Sequence, residues 1–204
     1  MRLVSFYRDI AGMADGELSA LLAGASRVRH MKKGELLIRA GEEQTEVSFL
    51  VSGLMRSYVT SSGGHEHTDC IVSGAGVPIM PCASIVGPSP ATIETLEESE
   101  VVSVGVDVVM GLLETNLALN QAYNRMLQEA WQRHWDIKEV MCRCRSRERY
   151  LWFLKAYPGL IERVPLRHVA SFLGMTPVTL SRLRSKLSDE VARDVPAGVV
   201  LEGE

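Results

Sequence analysis

The feature that most constrains this chain is the stretch Val164–Leu187, VPLRHVASFLGMTPVTLSRLRSKL. Leu166, Val169, Ala170 and Leu173 recur at i, i+3, i+4 and i+7, one apolar stripe of a helix. Gly174 follows the last of them, where a helix end takes a residue that tolerates positive φ. Thr176 and Pro177 then restart a helix: the hydroxyl can cap N2 or N3, and a proline at N1 has no amide to leave unbonded. Leu180, Leu183 and Leu187 form the inward stripe of this second helix, leaving Thr179, Ser181, Arg182, Ser185 and Lys186 on its other sides. With small Ala170 at the crossing and Gly174 at the turn, the pattern predicts a helix-turn-helix. Its outward side carries cations and hydroxyls and no acid, which suits phosphates and base edges.

Short helix pairs with glycine turns also occur in all-α domains that touch no nucleic acid, so charge is the arbiter. Residues 141–187 hold ten Lys/Arg against Glu148 and Glu162, a segment of +8 in a chain of net charge −3. The preceding 140 residues carry −7 and residues 188–204 carry −4. The basic charge sits where the motif sits, as a nucleic-acid module requires.

Upstream, the texture is different. Leu18, Leu21 and Leu22 recur at helical spacing behind Asp15, a candidate N-cap. From Ser26 to about Val106, short alternating runs are punctuated by glycines about every ten residues, as an antiparallel roll or sandwich requires. After Val106 the glycines nearly vanish, and Leu119, Tyr123, Met126, Ala130, Ile137 and Met141 form a stripe near heptad spacing. Leu127, Trp131, His134 and Trp135 widen its apolar side. A helix of about 25 residues, apolar on two faces, is expected to pack on the β domain with one and on a second copy with the other; full burial within one subunit is the alternative. The six stripe residues are the expected dimer contacts. A two-fold dimer also suits DNA, because paired recognition helices read half-sites one turn apart.

Other classes find little support. No serine elbow, Walker loop or dinucleotide fingerprint is present, so an enzyme is not expected. Cys70, Cys82, Cys142 and Cys144 show no CxxC or zinc spacing, and no cofactor or metal is expected. His65, His67 and Cys70 read as an exposed hairpin rather than a haem or metal site, and Cys142 and Cys144, flanked by Arg143 and Arg145, as packing or incidental residues. The apolar runs fall short of a membrane span and the N-terminus MRLVSFYRDI has no signal-peptide core, which predicts a cytoplasmic protein with reduced thiols. A ligand-binding roll whose helical module contacts another protein is the competing class.

The order of roll, long helix and helix-turn-helix resembles the Crp/Fnr family of bacterial transcription regulators. KKGELLIRAGEE and VSFLVSGLMRSY are similar to its early strands, GHEHT to a strand opening, and PSPATIETLEESEVVSV to its last roll strands. RERYLWFLKAYPGLIERVP resembles the start of its DNA domain, and TPVTLSRLRSKL is the most family-like stretch. The resemblance implies an α+β chain: an antiparallel, cyclic-nucleotide-binding-like (cupin-like) β-roll over residues 1–115, a dimerisation helix over 116–141, and a helix-turn-helix domain over 142–204. The tail VARDVPAGVVLEGE is short and acidic for the usual β-wing, so a short or missing wing is expected. The implied partners are double-stranded DNA, a second copy of the chain and a small effector, with RNA polymerase a further candidate.

Residue by residue, the resemblance gives Arg167, Thr176 and Thr179 to phosphates and Arg182 to a guanine. Pro177 and Val178 replace an Arg and an acid found in other members, so a different base preference follows, with Val178 against a thymine methyl. Ser181, Ser185 and Lys186 complete the DNA-facing set. The effector pocket is expected at Gly74, Gly76, Ser84, Pro88, Ser89, Ala91 and Thr92, with the nest Ser73–Gly76 able to offer backbone amides. Pro88-Ser89-Pro90 stands where cyclic-nucleotide binders have an Arg, and no Arg or Lys lies between Val72 and Val101. A buried phosphate without a counter-charge is costly, so a ligand other than cyclic AMP is expected. A cyclic-nucleotide-responsive or effector-independent regulator is the alternative.

Overall fold

The computed structural model describes residues 3–13 and 15–194. The chain divides into two compact units, Met1–Lys138 and Glu139–Glu204.

The first unit opens with α1 (Leu3–Ser5), a π-helical turn (Phe6–Ile10) and α2 (Gly16–Ala25). Asp15 caps α2 as the sequence leads one to expect, its carboxylate accepting from the Leu18 amide at 2.9 Å. Eight strands follow: β1 (Ser26–Met31), β2 (Leu36–Ile38), β3 (Glu46–Ser52), β4 (Leu54–Thr60), β5 (Glu66–Ser73), β6 (Pro78–Ile79), β7 (Thr92–Thr95) and β8 (Ser99–Gly105). They form two antiparallel sheets, ordered β1-β8-β3-β6 and β2-β7-β4-β5. Alternation along β3 and β8 splits the hydrophobic side chains between two cores. Val47, Phe49, Val102 and Val104 face the helical segments, against Phe6, Tyr7, Leu18, Leu22, Val109 and Leu119. Leu50 and Val101 face the roll interior, with Met31, Met55, Val72, Ile79 and Ile93. Gly53 alone joins β3 to β4, at φ 106°, and a Cβ there would lie 2.2 Å from Ser99 Oγ. Only glycine fits that corner.

Two helices close the roll, α3 (Val106–Thr115) and the long α4 (Leu117–Arg143). Asn116 separates them and caps α4, its side-chain oxygen accepting from the Leu119 amide at 2.9 Å. The first part of the apolar stripe of α4 packs on its own roll. Leu119 is buried in its own subunit, and Tyr123 and Met126 pack on the same core. Tyr123 Oη also donates to the Ala83 carbonyl at 3.0 Å. These three therefore fix α4 to the roll, with Leu119 buried there and Tyr123 and Met126 half-buried. Ala130 and Ile137, on the same side, are half-buried, and Met141 lies in the second unit, its sulfur beside Gly174. The large apolar side chains that α4 leaves in water are Leu117, Trp131 and Trp135, on the opposite face.

The second unit contains α5 (Ser146–Ala156), α6 (Leu160–Arg163), α7 (Leu166–Phe172) and α8 (Pro177–Asp194). Its core stacks Trp152, Phe153, Tyr157 and Phe172, with Val169, Ala170, Leu173 and Leu180 fully buried. Helix α8 runs past Leu187 into the stretch read as wing; residues 195–204, where the rest of a wing would lie, are outside the described residues.

Candidate nucleic-acid interface and the roll interior

Gly174 adopts φ 62°, and the Met175 amide reaches back to the Ala170 carbonyl at 2.9 Å, closing α7 in a left-handed turn. Thr176 Oγ1 then accepts from the Thr179 amide at 3.1 Å, and Pro177 is the first residue of α8. The Thr176 and Thr179 hydroxyls lie 2.9 Å apart, so one hydroxyl proton of the pair is left for an outside acceptor. Leu180 faces the core. Turned 100–200° away are Val178, Ser181, Arg182 and Ser185, at i, i+3, i+4 and i+7, and all four are exposed, as are Pro177 and Lys186. Val178, apolar and 58% exposed, stands at the centre of this stripe one turn before Arg182. Arg167, on α7, is exposed, with its Nε 3.2 Å from Nε2 of buried His168. The nine residues expected to face DNA thus lie on α7, the turn after it and α8, and all but half-buried Thr179 are exposed.

Not every cation of the basic segment is outward. Arg149 is half-buried and donates to the carbonyls of Met141 (3.0 Å), Cys144 (2.9 Å) and Leu173 (3.2 Å). It satisfies the orphan carbonyls at the ends of α4 and α7, so its task is structural. Arg143 pairs with Glu139 at 2.5 Å, and the Glu148 carboxylate accepts the Arg145 amide at the start of α5.

Several polar groups among the seven residues expected to form the effector pocket have partners within the chain. The Gly76 amide already donates to Leu50, and a Cβ on Gly76 would sit 2.6 Å from the Ile10 carbonyl, so the nest is closed off. The Ser84 hydroxyl donates to Val86, that of Ser89 to Ala91, and Thr92 Oγ1 accepts from the Ala40 amide. Gly74 and Pro88 are exposed, and Ala91 is buried. These polar groups are engaged locally.

Sequence reading missed two cationic groups in the roll. Arg56 on β4 is almost fully buried: Nη2 pairs with Glu66, Nε with Glu94 at 2.6 Å and Nη1 with Thr68 at 3.2 Å, while its guanidinium lies 4.2 Å over the Tyr58 ring. Two carboxylates neutralise it, so it is no counter-charge for a phosphate. Arg27 and Arg29 on β1 border a cavity of about 170 Å³ that is also lined by Glu42, Glu43, Glu46 and Ser48 and by Ile38, Ile79 and Ile93. The sequence signal was the alternation in RVRH, which equally fits a solvated strand. Across β4 and β5, Ser57 pairs with Cys70; its Oγ is buried without a partner. Burial, reinforced by the Asp69 carboxylate, pushes the Cys70 thiol up to about 11. Among the described residues, no group of three His, Cys, Asp or Glu is placed to hold a metal ion, and no helix is long and apolar enough to cross a membrane.

This geometry defines a class: an eight-stranded roll, a long helix and a helix-turn-helix, the fold of the Crp/Fnr transcription regulators. Residues 28–116 match the model of the cyclic nucleotide-binding domain. Among solved structures, FixK2 from Bradyrhizobium japonicum is 19% identical with a TM-score of 0.70, over 81% of this chain and 86% of that one. CLP from Xanthomonas campestris, described as a c-di-GMP responsive global regulator, is 14% identical with a TM-score of 0.72, over 87% of this chain and 93% of that one. A mutant of CooA from Carboxydothermus hydrogenoformans is 18% identical with a TM-score of 0.68, over 93% and 85%. No curated protein matches the sequence.

Proposed function

We propose that the chain is a sequence-specific, DNA-binding transcription regulator that works as a dimer in the cytoplasm, its roll sensing a small effector that is not a cyclic nucleotide. The observation that carries the reading is the outward stripe of α8, where Val178, Ser181, Arg182 and Ser185 are all exposed beside Arg184 and Lys186, with no acid among them. A recognition helix of this composition enters the major groove with its first turns on base edges. Arg182 takes the guanine role, bidentate to O6 and N7. Val178 meets a thymine methyl, with Pro177 shaping the helix tip. Arg167, Lys186 and the free hydroxyl proton of the Thr176–Thr179 pair hold phosphates.

The dimer face is drawn on Leu117, Trp131 and Trp135, because the opposite side of α4 is engaged by its own roll. Exposed tryptophans on a long helix are what a partner helix covers. RNA polymerase remains a candidate partner.

Three features argue against a cyclic nucleotide. The Ser89 hydroxyl, where the family's phosphate-binding Arg would stand, donates to Ala91; Arg56 is clamped by Glu66 and Glu94. The lining of the cavity beside β1 also carries Glu42, Glu43 and Glu46, whose charge opposes a phosphate.

The test is selection of duplexes from a randomised pool, followed by titration of Arg182→Ala and Arg167→Ala on the selected site and on random DNA. Arg182→Ala should cost about 1–3 kcal/mol on the selected site and relax one base pair, while Arg167→Ala weakens both DNAs alike. Equal effects of both changes on both DNAs would defeat the assignment. Calorimetry with cyclic AMP, cyclic GMP and c-di-GMP should show no heat in the micromolar range, and micromolar binding of any of them would remove the effector reading.

A further inference from the structure

Arg167 is the only Lys or Arg of α7, and its neighbour His168 is a buried polar residue, 5% exposed beside fully buried Val169 and Ala170. Successive side chains on a helix point about 100° apart, so an outward arginine and an inward histidine meet only where the guanidinium folds back toward the helix. Here it does, with Arg167 Nε 3.2 Å from His168 Nε2. An arginine Nε–H can only donate, so Nε2 is the acceptor and the ring proton sits on Nδ1. Among the described residues, Arg167 has no other hydrogen bond or ion pair. Its four Nη protons therefore remain for an acceptor outside the chain. Other arginines of this unit are spent differently: Arg149 on three carbonyls, Arg143 on Glu139. A carboxylate in place of His168 would also hold the guanidinium, but it would offset the charge and compete with a phosphate. A neutral imidazole fixes the direction of the side chain and leaves its charge intact.

We propose that His168 is a positioning residue for DNA: its Nε2 anchors the Arg167 guanidinium so that both Nη groups meet one backbone phosphate of the duplex. An exposed arginine samples many rotamers and loses that freedom when it binds. An acceptor seated in the core, which cannot move with the side chain, takes up part of that loss before DNA arrives. The gain applies to any duplex, because a phosphate carries no sequence information. The inference rests on the reading of α7 and α8 as the DNA-facing pair, and its test separates the two.

The experiment is fluorescence anisotropy of a random duplex with the full chain at about 100 mM salt. His168→Leu removes the acceptor and should weaken binding about three- to tenfold for each protomer engaged. His168→Gln sets a carbonyl oxygen at the reach of Nε2 and should bring affinity back to within about twofold of wild type. Arg167→Lys keeps the charge and has no Nε–H, so adding His168→Leu to it should cost nothing more. A histidine that only packs would cost the same in both backgrounds. A second measurement needs no variant: nitrogen NMR of the free protein at neutral pH. His168 Nε2 should show the shift of an unprotonated ring nitrogen, and the Arg167 Nε–H should exchange with solvent more slowly than that of exposed Arg184. Wild-type affinity in His168→Leu, with binding weakened by Arg167→Ala, overturns this proposal alone. Unchanged affinity in Arg167→Ala overturns it together with the phosphate role of Arg167. Equal losses from His168→Leu in the Arg and Lys backgrounds, or a protonated Nε2, also overturn it.

Discussion

Replacing Trp131 by alanine should break the dimer without disturbing the fold. A tryptophan offers up to about 250 Å² of surface, and 72% of that of Trp131 is exposed in the single subunit. Covering it removes about 180 Å² from water, of which a methyl group would retain only a small part. Two-fold symmetry applies the loss twice, so roughly 300 Å² disappears from the interface, worth about 7 kcal/mol at 25 cal per Å² as an upper bound. Incomplete coverage and side-chain ordering reduce this to about 2–4 kcal/mol, a dimer dissociation constant raised about 30- to 1,000-fold. Sedimentation equilibrium measures it directly. Met126→Ala is the matched control: Met126 packs on the roll core of its own chain, so this change should lower the melting temperature and leave dimerisation intact. If Met126→Ala dissociates the dimer while Trp131→Ala leaves it whole, the seam follows the Leu119–Met126 side and the assignment of faces is wrong.

Further outcomes follow from single contacts. Deoxyuridine in place of one half-site thymine should weaken wild-type binding about three- to fivefold, and Val178→Ala should erase that difference, as read by anisotropy on the selected duplex. Arg149→Met strips hydrogen bonds from three carbonyls and should lower the melting temperature of the second unit, while Arg184→Met, whose side chain is exposed, should not. The Cys70 thiol, with a pKa raised to about 11, should react with iodoacetamide at pH 8 about a hundredfold more slowly than exposed Cys142, by mass spectrometry of the labelled peptides. Because the folded-state value lies above the unfolded one, Cys70 favours the fold below about pH 9 and that contribution is lost as pH rises toward 11, which a melting series checks.

What the sequence revealed was chiefly local. Asp15, Gly174, Thr176 and Pro177 act through hydrogen bonds and dihedrals within a few residues, so their roles are visible in their neighbours. The recognition stripe was visible for the same reason: its period is set by α8 alone. The heptad of α4 shows where the limit lies. Period 3.6 says that Leu119, Tyr123 and Met126 share a face, but what covers that face is decided by Phe49, Val104 and Leu22, far away in the chain. Arg56 was illegible because a cation in an alternating strand reads as solvent-facing, and only the sheet register sets Glu94 beside it and brings Glu66 within reach. The cavity under Arg29 has the same origin. It is assembled from β1, the segment before β3, β6 and β7, with no contiguous motif to mark it. The Gly-rich nest misled because local backbone shape was legible while the acceptor of the Gly76 amide, Leu50, was not.

The central claim is that the basic helix pair reads DNA, and its most direct measurement is the salt dependence of duplex affinity. Arg182, Arg184, Lys186 and Arg167 are exposed on these helices. At least two phosphates neutralised per protomer give four per dimer, so the logarithm of affinity for random duplex should fall with the logarithm of salt at a slope of about −3.6 or steeper. Fluorescence anisotropy between about 50 and 200 mM salt covers the range in which such a slope is unmistakable. The selected duplex should keep a higher affinity at every salt concentration, and Arg182→Ala should bring its curve down to that of random DNA. A flat salt response, with no sequence enriched from the randomised pool, would contradict the account and make the helical module a protein-contact device.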